Sequence, residues 1–510
     1  MVKQEALTVP EMLSARCKRY PDKEFLVVED LHGGIERLTY REFQELVQKL
    51  ATLLQEYGIQ KGDKVLLHLP NGSAFMVSWF AILSVGGVMV PTNILSTEEE
   101  MKYLVTHSES KIIISEKEYE EKFSTFRLPL LLSRLGEERR GIWLEQEAGK
   151  MRSLPIPLQL ASGDEAAILY TSGTTSKPKG VVLTHKNYLH TGKQMAKILH
   201  YQQTDRMLIA LPMFHGNGQY YMAMPALYTG ASIAITENFS ATNYIKQAKR
   251  LEATIGSLFS APIRMILKKE FDPADATNSL RAVIYAQGLT DGQYEAFSRR
   301  YGVELCQLYG MTETVAVPLI NLSKRDEHHA SIGKEAGGYQ VKLRGENGKE
   351  VPAGEAGEIT IAGVPGETIM KEYFKNPGAT DEAIRENWLY SGDIGRKDPL
   401  TGLYYFVDRK KDMMKRAGEN IAAGEVETVL NEHDAVFESA VISVPDPMYE
   451  EEIHAFVILK DDNTTGSEEL IDWCRKRLAK FKVPQAIHIT EEFPRTSVGK
   501  IQKHQLKNWI

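Results

Sequence analysis

The sequence contains few cysteines, and their positions do not suggest that they pair or bind a metal. Cys17, Cys306 and Cys474 are the three cysteines among 510 residues, and they lie far apart without a CxxC pair or a histidine-rich neighbour. A disulfide framework or a zinc site therefore finds no support in the sequence. This cysteine usage favours a reducing, cytoplasmic setting.

Long hydrophobic runs are also scarce. Residues 75–90 are strongly apolar, but they are fewer than the roughly 20 residues that a membrane-spanning helix needs. Gly86, Gly87 and Pro91 break the run near its end. The N-terminus carries Lys3 and lacks the apolar core of a secretory signal. We therefore expect no membrane span, and we predict that residues 75–90 form a buried helix followed by a buried strand.

The chain has no excess of basic charge. Lys and Arg number 61 against 68 Asp and Glu, which gives a net charge of -7, and no long basic run is visible. Nucleic acid is therefore not an expected partner. Hydrophobic residues make up 43% and charged residues 25%, close to the globular average, which excludes a disordered or filamentous chain. At roughly 150 residues per domain, the length corresponds to about three domain equivalents.

Short β-branched runs alternate with amphipathic helical stretches over most of the chain. The runs that resemble strands are residues 65–69, 112–114, 166–170, 282–285 and 358–362. Several are apolar throughout, as strands buried on both faces are. This alternation predicts the α/β class, with a large, multi-layered N-terminal domain built on mixed, largely parallel sheets. In such folds ligands bind beyond the carboxyl ends of the strands.

A dense charge cluster at residues 408–412 indicates a domain boundary. It follows the strand-like residues 403–407, and a fresh, small α/β pattern begins after it. In that pattern we predict a helix that begins at Ser467 and ends by Pro484. Cys474 and Leu478 would lie on its apolar face. We predict a large domain over residues 1–408, a connection at residues 409–412 and a small α+β domain over residues 413–510.

The loop at residues 170–180 combines glycines, small hydroxyl residues and lysines after a buried strand. Accessible backbone N–H groups, hydroxyl donors and flexible ammonium groups are what a polyphosphate needs. The loop is not a Walker-type P-loop, because Pro178 stands where that motif needs glycine and Gly180 follows Lys179. A polar surface loop is the alternative interpretation.

Several stretches, taken in order, resemble the motifs of the adenylate-forming enzymes, the superfamily of acyl-CoA synthetases, peptide-synthetase adenylation domains and beetle luciferases. They are YTSGTTSKPKG at 170–180, LYGMTE at 308–313, WLYSGD at 388–393, DRKKD at 408–412 and PRTSVGK at 494–500. The resemblance implies a ligase that activates a carboxylic acid with ATP as an acyl-adenylate and transfers the acyl group to coenzyme A. ATP, Mg²⁺ and coenzyme A would be its cofactors, and a small carboxylic acid its substrate.

The resemblance also implies roles for residues of the large domain. Tyr309 would stack on adenine beside Gly310, Thr312 would contact the α-phosphate, and Glu313 would ligate Mg²⁺. His215 would lie between the acyl and thiol sites as a gate. The residues implied to hold the β- and γ-phosphates are Thr171, Ser172, Gly173, Thr174, Thr175 and Lys179.

Further roles are implied near and beyond the predicted boundary. Asp393 and Arg409 would bind the ribose, and Gly418 would line the pantetheine channel. The small domain would be mobile, swinging about a hinge at Lys411 so that Lys500 reaches the active site during adenylation. Without the resemblance, each of these residues has an ordinary alternative as a cap, a turn residue or a solvated charge.

The identity of the acid is less clear from the sequence. Residues 365–377, 406–409 and 479–484 resemble the branch of the superfamily that activates crotonobetaine and carnitine, but residues 285–289 (YAQGL) depart from the glycine-rich segment of many relatives. Tyr220 and Tyr221 could face a quaternary ammonium group, or they could be core aromatics. The alternatives are a short- or medium-chain fatty acyl-CoA synthetase, an adenylation enzyme that loads a carrier protein, and a catalytically inactive nucleotide-binding protein. The oligomeric state stays open, with a homodimer as one alternative.

Overall fold

The structure of the chain is a computed structural model. It describes residues 7–134, 142–153, 159–171, 177–322, 328–410, 412–416, 419–446, 450–460, 463–495 and 501–510. Ser172, Gly173, Thr174, Thr175, Lys411, Gly418 and Lys500, which carry predicted roles, lie outside the described residues.

Helices are distributed over the whole chain. The α-helices are α1 (Val9–Arg19), α2 (Tyr40–Glu56), α3 (Ser73–Ser84), α4 (Glu98–Ser108), α5 (Leu144–Lys150), α6 (His185–Ile198), α7 (Met224–Thr229), α8 (Tyr244–Arg250), α9 (Ser260–Leu267), α10 (Asp291–Tyr301), α11 (Pro377–Ala383), α12 (Ala423–Asn431), α13 (Ser467–Arg475) and α14 (Lys503–Leu506). Short 3₁₀ turns occupy Lys117–Phe123, Pro273–Ala276, Thr312–Thr314, Lys480–Lys482 and Lys507–Trp509, and a π-helix covers Asn217–Ala223.

Strands alternate with these helices in the first two thirds of the chain and predominate later. They are β1 (Glu24–Glu29), β2 (Ile35–Thr39), β3 (Lys64–His68), β4 (Val88–Pro91), β5 (Ser110–Glu116), β6 (Leu130–Ser133), β7 (Ile142–Trp143), β8 (Glu165–Thr171), β9 (Lys179–Thr184), β10 (Arg206–Ile209), β11 (Ser232–Thr236), β12 (Ile255–Phe259), β13 (Ala282–Ala286), β14 (Glu304–Tyr309), β15 (Leu319–Asn321), β16 (Lys334–Glu335), β17 (Val341–Arg344), β18 (Ala356–Ala362), β19 (Glu372–Tyr373), β20 (Ile384–Arg385), β21 (Trp388–Lys397), β22 (Tyr404–Arg409), β23 (Met413–Arg416), β24 (Glu419–Ala422), β25 (Val436–Asp446), β26 (Glu450–Leu459) and β27 (Ala486–Ile489).

The chain divides into two compact units. The larger comprises Met1–His329, Glu335–Gln340 and Ala362–Leu389, and the smaller comprises Ala330–Lys334, Val341–Ile361 and Tyr390–Ile510. The smaller unit therefore includes segments that precede the charge cluster as well as the C-terminal residues. The functional boundaries at residues 408 and 412 stay a prediction.

The larger unit contains two extended sheets. One has the order β15-β14-β13-β12-β10-β11-β1-β2, and its pairs from β14 to β1 are parallel. The other has the order β19-β9-β8-β4-β3-β5-β6-β7, with antiparallel pairing at β19-β9-β8 and parallel pairing beyond. The predicted α/β class with mixed, largely parallel sheets is confirmed. Parallel sheets are covered by helices on their faces, which leaves the strand ends for ligands.

The apolar stretch at residues 75–90 forms α3 and then β4, as predicted. Trp79, Phe80 and Val90 are all 0% exposed, so burial in the protein core explains the hydrophobicity of this run. Among the described residues, no helix is both long enough and apolar enough to cross a membrane.

The smaller unit is built on two sheets whose strands are mostly antiparallel. Strands β17, β18, β21 and β22 form one sheet, and β24-β23-β26-β25 form another, to which β27 adds in parallel with β26. Helices α12 and α13 cover the second sheet through a core that includes Val426, Leu430, Leu470 and Cys474. The predicted helix at Ser467 is confirmed, but it ends at Arg475, well before Pro484, because the chain turns there and continues into a short 3₁₀ segment.

Candidate active site

Strands β8 and β9 pair antiparallel and flank the predicted phosphate-binding loop in the sequence. Thr171 pairs with Lys179 in the antiparallel register, and the Thr171 hydroxyl donates to the Lys179 carbonyl over 3.5 Å. A Cβ atom at Gly180 would lie 2.7 Å from Ile168 Cγ2 and 3.3 Å from Phe374 Cβ. Because no side chain fits there, glycine allows β19 and its following turn to pack closely over the hairpin.

Tyr373 in β19 brings Lys179 and Glu313 together. The Lys179 Nζ atom lies 4.8 Å from the centre of the Tyr373 ring, and the Tyr373 hydroxyl donates to Glu313 Oε1 over 2.7 Å. Burial, followed by the nearby Glu313 charge, raises the pKa of Tyr373 far above its usual value. The tyrosine therefore stays neutral and acts as a hydrogen-bond donor to the carboxylate.

The turn after β14 fixes the position of Glu313. Its backbone carbonyl accepts a hydrogen bond from Met370 N–H over 2.8 Å, and its side chain is 5% exposed. Val315 follows with φ 63° and ψ -64°, and Ala316 N–H donates to the Thr314 carbonyl over 2.6 Å. This is the geometry of a γ-turn, which is rare and strained for a β-branched residue.

The same turn contains other predicted site residues. Tyr309 ends β14 and is 7% exposed. Thr312 opens the 3₁₀ turn, and Thr314 closes it by accepting a hydrogen bond from Met311 N–H over 3.0 Å. A Cβ atom at Gly310 would lie 2.9 Å from the Tyr221 hydroxyl, so glycine is needed for this close approach. Contacts of these residues with adenine and the α-phosphate stay predictions.

The two tyrosines considered for a cation-binding role belong to the core. Tyr220 and Tyr221 are 1% and 6% exposed. Tyr220 packs edge-on against Tyr188 with ring centres 6.1 Å apart, and its hydroxyl donates to the Thr312 carbonyl over 3.4 Å. Both side chains are therefore buried, as the alternative of core aromatics expects, and Tyr220 contacts the turn that contains Thr312.

His215 lies after β10 at the start of the π-helix. Its ring centre is 4.2 Å from that of Phe214, and its backbone N–H donates to the Pro212 carbonyl over 3.2 Å. π-helical turns occur often at functional sites. The gating role of His215 stays a prediction.

Polar side chains line up at the carboxyl ends of β12, β13 and β14. Ser257 donates to Asn217 Oδ1 over 2.8 Å and Ser260 donates to Gln287 Oε1 over 3.1 Å. Gln307 Nε2 donates to the Gln287 carbonyl over 3.5 Å. Gln287 has φ 72°, an uncommon value for a residue other than glycine. Of these residues, Gln287 lies in the segment at 285–289 that departs from the pattern of many relatives, and the sequence did not predict the others.

Asp393 and Arg409 are neighbours in the smaller unit. They face each other across β21 and β22, with Arg409 Nε 3.9 Å from Asp393 Oδ1. Beside them, Glu358 Oε1 accepts from Gly392 N–H over 3.0 Å, and Lys410 Nζ donates to Glu358 Oε2 over 2.9 Å. The structure therefore brings together the two residues predicted to bind ribose.

A second charged group follows these strands in the smaller unit. Asp408 Oδ2 accepts a hydrogen bond from Gly424 N–H in α12 over 3.0 Å. Lys503 Nζ lies 2.7 Å from Glu427 Oε1, which also accepts from Val441 N–H over 2.7 Å. Burial raises the pKa of Glu427 against the opposing effect of Lys503. Burial lowers the pKa of Lys503, but attraction to Glu427 and Asp408 outweighs it, so its pKa is raised.

Family comparisons identify the class of the chain. Residues 13–374 match the AMP-binding enzyme family, and residues 425–500 match the AMP-binding enzyme C-terminal domain. The chain therefore belongs to the AMP-binding enzyme family.

Individual relatives indicate which reaction the chain catalyses. The chain is 34% identical over 500 residues to crotonobetaine/carnitine–CoA ligases of Salmonella paratyphi A and Salmonella typhimurium, covering 96% of this chain and 96% of each relative. It is similar to an anthranilate CoA ligase in complex with anthranoyl-AMP, with TM-score 0.90, 25% identity and coverage of 98% and 97% of the two chains. A benzoate CoA ligase from Burkholderia xenovorans LB400 gives TM-score 0.89, 26% identity and coverage of 98% and 99%. The chain is an acyl-CoA ligase that acts through an acyl-adenylate and uses ATP and coenzyme A.

Proposed function

We propose that this ligase activates a small, polar carboxylic acid of the crotonobetaine or carnitine type. The observation that carries this proposal is the 34% identity to crotonobetaine/carnitine–CoA ligases over almost the whole chain. The polar group at the ends of β12 to β14 supports it. Amide oxygens such as those of Asn217 and Gln287 suit a polar or cationic substrate better than a hydrocarbon chain, which cannot interact with them.

In the first half-reaction the acid's carboxylate attacks the α-phosphorus of ATP, forming acyl-AMP and releasing pyrophosphate. Because both reactants are anions, the reaction needs cations and fixed donors around the phosphates. Lys179 and Thr171, together with residues 172–175, would hold the β- and γ-phosphates. Thr312 would contact the α-phosphate, and Tyr309 with Gly310 would border adenine.

Glu313 fits the role of a magnesium ligand. Mg²⁺ is usually held by one or two carboxylates together with substrate phosphates, and among the described residues no cluster of three His, Cys, Asp or Glu side chains forms a separate metal site. When bound, Mg²⁺ supplies positive charge that offsets the phosphates. Tyr373 holds the Glu313 carboxylate by a neutral hydrogen bond, so the tyrosine orients the group without cancelling its charge.

The remaining residues would bind the ribose or act in the second half-reaction. In that half-reaction the coenzyme A thiol attacks acyl-AMP and AMP leaves. Asp393 and Arg409 would hold the ribose. In the proposed domain arrangement, residues 413–510 move about a hinge at residues 409–412 centred on Lys411. Lys500 would act in adenylation, and Gly418 and His215 would border the path of the thiol. Because ATP and coenzyme A are cytoplasmic metabolites, we place the enzyme in the cytoplasm.

The test is coenzyme A-dependent AMP release across a panel of acids that contains crotonobetaine, carnitine, butyrate, hexanoate, benzoate and anthranilate. We expect kcat/KM to be highest for the betaines. A preference for butyrate or hexanoate would instead identify a fatty acyl-CoA synthetase, and a preference for the aromatic acids would place the substrate with the aryl-CoA ligases. Acylation of an added carrier protein without coenzyme A would favour the carrier-loading alternative.

A further inference from the structure

A cavity of about 300 Å³ lies beside the β8–β9 hairpin of the larger unit. Its size is at the lower end of the range for small-molecule sites. The wall includes Tyr103, His107, Lys177, Lys179, Phe374 and Lys375. Three lysines and a histidine thus surround one cavity, and among the described residues no carboxylate lines it.

Direct contacts hold the wall of the cavity together. The Tyr103 hydroxyl donates to the Pro178 carbonyl over 3.0 Å, and His107 Nδ1 lies 2.7 Å from the Tyr170 hydroxyl. Lys375 Nζ donates to the His107 carbonyl over 3.2 Å. Helix α4, the hairpin and the turn after β19 are therefore joined by hydrogen bonds, so the cavity belongs to the folded structure of this unit.

The lysines of the wall lie against aromatic faces. Lys177 Nζ is 5.2 Å from the centre of the Tyr103 ring, and Lys375 Nζ is 5.2 Å from that of Phe374. Lys375 also pairs with Glu109 over 2.7 Å, but the Glu109 side chain is 65% exposed. An aromatic face attracts an ammonium group without neutralising it, so the cavity keeps an excess of positive charge that suits a compact anion.

We propose that this cavity binds inorganic pyrophosphate as it leaves the active site after adenylate formation. The inference rests on the proposed role of Lys179, which belongs both to the predicted phosphate-binding loop and to the wall of the cavity. Pyrophosphate carries several negative charges in a small volume, and flexible ammonium groups bind such an anion as point charges. Lys177 and Lys375 would then receive the diphosphate that Lys179 releases.

The direct test is calorimetric titration of inorganic pyrophosphate into the free protein. We expect Lys177→Met and Lys375→Met each to weaken pyrophosphate binding about tenfold, because each removes one charge-assisted contact and keeps the aliphatic stem. Lys64→Met is the matched control: Lys64 Nζ is 5.4 Å from the Phe374 ring centre, but Lys64 is absent from the described wall of the cavity. Its variant should weaken binding less than either wall variant, because an ammonium group that does not contact the anion interacts with it only weakly through water.

Parallel titrations with ATP separate an exit site from the ATP site. We expect both variants to lower pyrophosphate affinity more than ATP affinity, because ATP keeps Lys179 and its contacts to the nucleoside when either lysine is replaced. An equal loss of ATP and pyrophosphate affinity would assign both lysines to ATP binding and overturn the proposal. Unchanged pyrophosphate affinity would also overturn it. Neither measurement needs the acid substrate, so a failure of the acid panel would leave this test intact.

His107 provides a second readout. Its neighbours are Tyr103 within α4, Tyr170, Phe374 and the charged groups Lys177, Lys375 and Glu109. Burial lowers the pKa of His107, Lys375 and Lys177 lower it further, and Glu109 opposes them. An anion in the cavity should therefore raise this pKa, which NMR titration can follow with His107→Gln to assign the signal. A pKa that does not respond to pyrophosphate would contradict binding in this cavity.

Discussion

Glu313 in the larger unit and Glu427 in the smaller unit are both withdrawn from solvent, but they have different partners. Glu313 receives a hydrogen bond from the neutral Tyr373 hydroxyl, whereas Glu427 pairs with the Lys503 ammonium and accepts from Val441 N–H. A neutral donor orients a carboxylate and leaves its charge in place, whereas an ammonium group balances that charge. The first arrangement suits a carboxylate that meets a cation during the reaction, and the second suits a structural contact.

Replacing Glu313 gives the most severe test of this contrast. We expect Glu313→Gln to lower kcat/KM about 1,000-fold, or about 4 kcal/mol, because the amide keeps the shape and loses the charge needed at the phosphates. The measurement is pyrophosphate release during adenylation. Glu427→Gln is the control, and it should retain most of the activity. Comparable activity losses in the two variants would contradict the contrast.

Removing the partner of Glu427 should affect stability rather than chemistry. We expect Lys503→Met to lower the free energy of unfolding of the smaller unit by about 2 kcal/mol, because a partly buried carboxylate is left without its cation. Hydrogen exchange in α12, which carries Glu427, measures the loss. The double variant Glu427→Gln/Lys503→Met should recover at least half of it, since Gln can still accept from Val441 N–H. Absence of recovery would show that Lys503 acts through its packing alone.

The smallest expected effect is at Tyr373. Tyr373→Phe removes the hydrogen bond to Glu313 and keeps the ring beneath Lys179. We expect kcat/KM to fall about tenfold, which corresponds to about 1.4 kcal/mol for one hydrogen bond to a charged group. The Mg²⁺ concentration needed for half-maximal adenylation should rise in the same variant. Tyr373→Leu also removes the aromatic face under Lys179, so it should be more damaging. Equal effects of Phe and Leu would indicate that the hydroxyl carries the whole contribution.

Local patterns in the sequence predict the elements that hold the site. The alternation of buried strands and amphipathic helices yields the α/β class, and the apolar run at residues 75–90 yields a buried helix and a buried strand. These features depend on neighbours in the chain, so residue type and spacing are sufficient to find them.

The contacts between distant segments could not be predicted in this way. Tyr373 lies 60 residues from Glu313 in the chain. The pairing of β19 with β9 positions Tyr373 for this contact. The pairing of Glu427 with Lys503 depends in the same way on how α12 and α14 pack. Tyr220 and Tyr221 illustrate the converse, because an aromatic pair beside a predicted site has the same sequence pattern whether it faces a ligand or the core.

The γ-turn at Val315 indicates that folding, rather than ligand binding, fixes the position of the turn that contains Glu313. A buried β-branched residue with φ 63° carries roughly 1–3 kcal/mol of conformational energy, which the surrounding structure must sustain. Glycine would adopt the same angles freely and would also leave them freely. Because a β-branched residue has few backbone conformations available, the turn that carries Glu313 should lose little entropy if Glu313 binds Mg²⁺ and ATP as proposed.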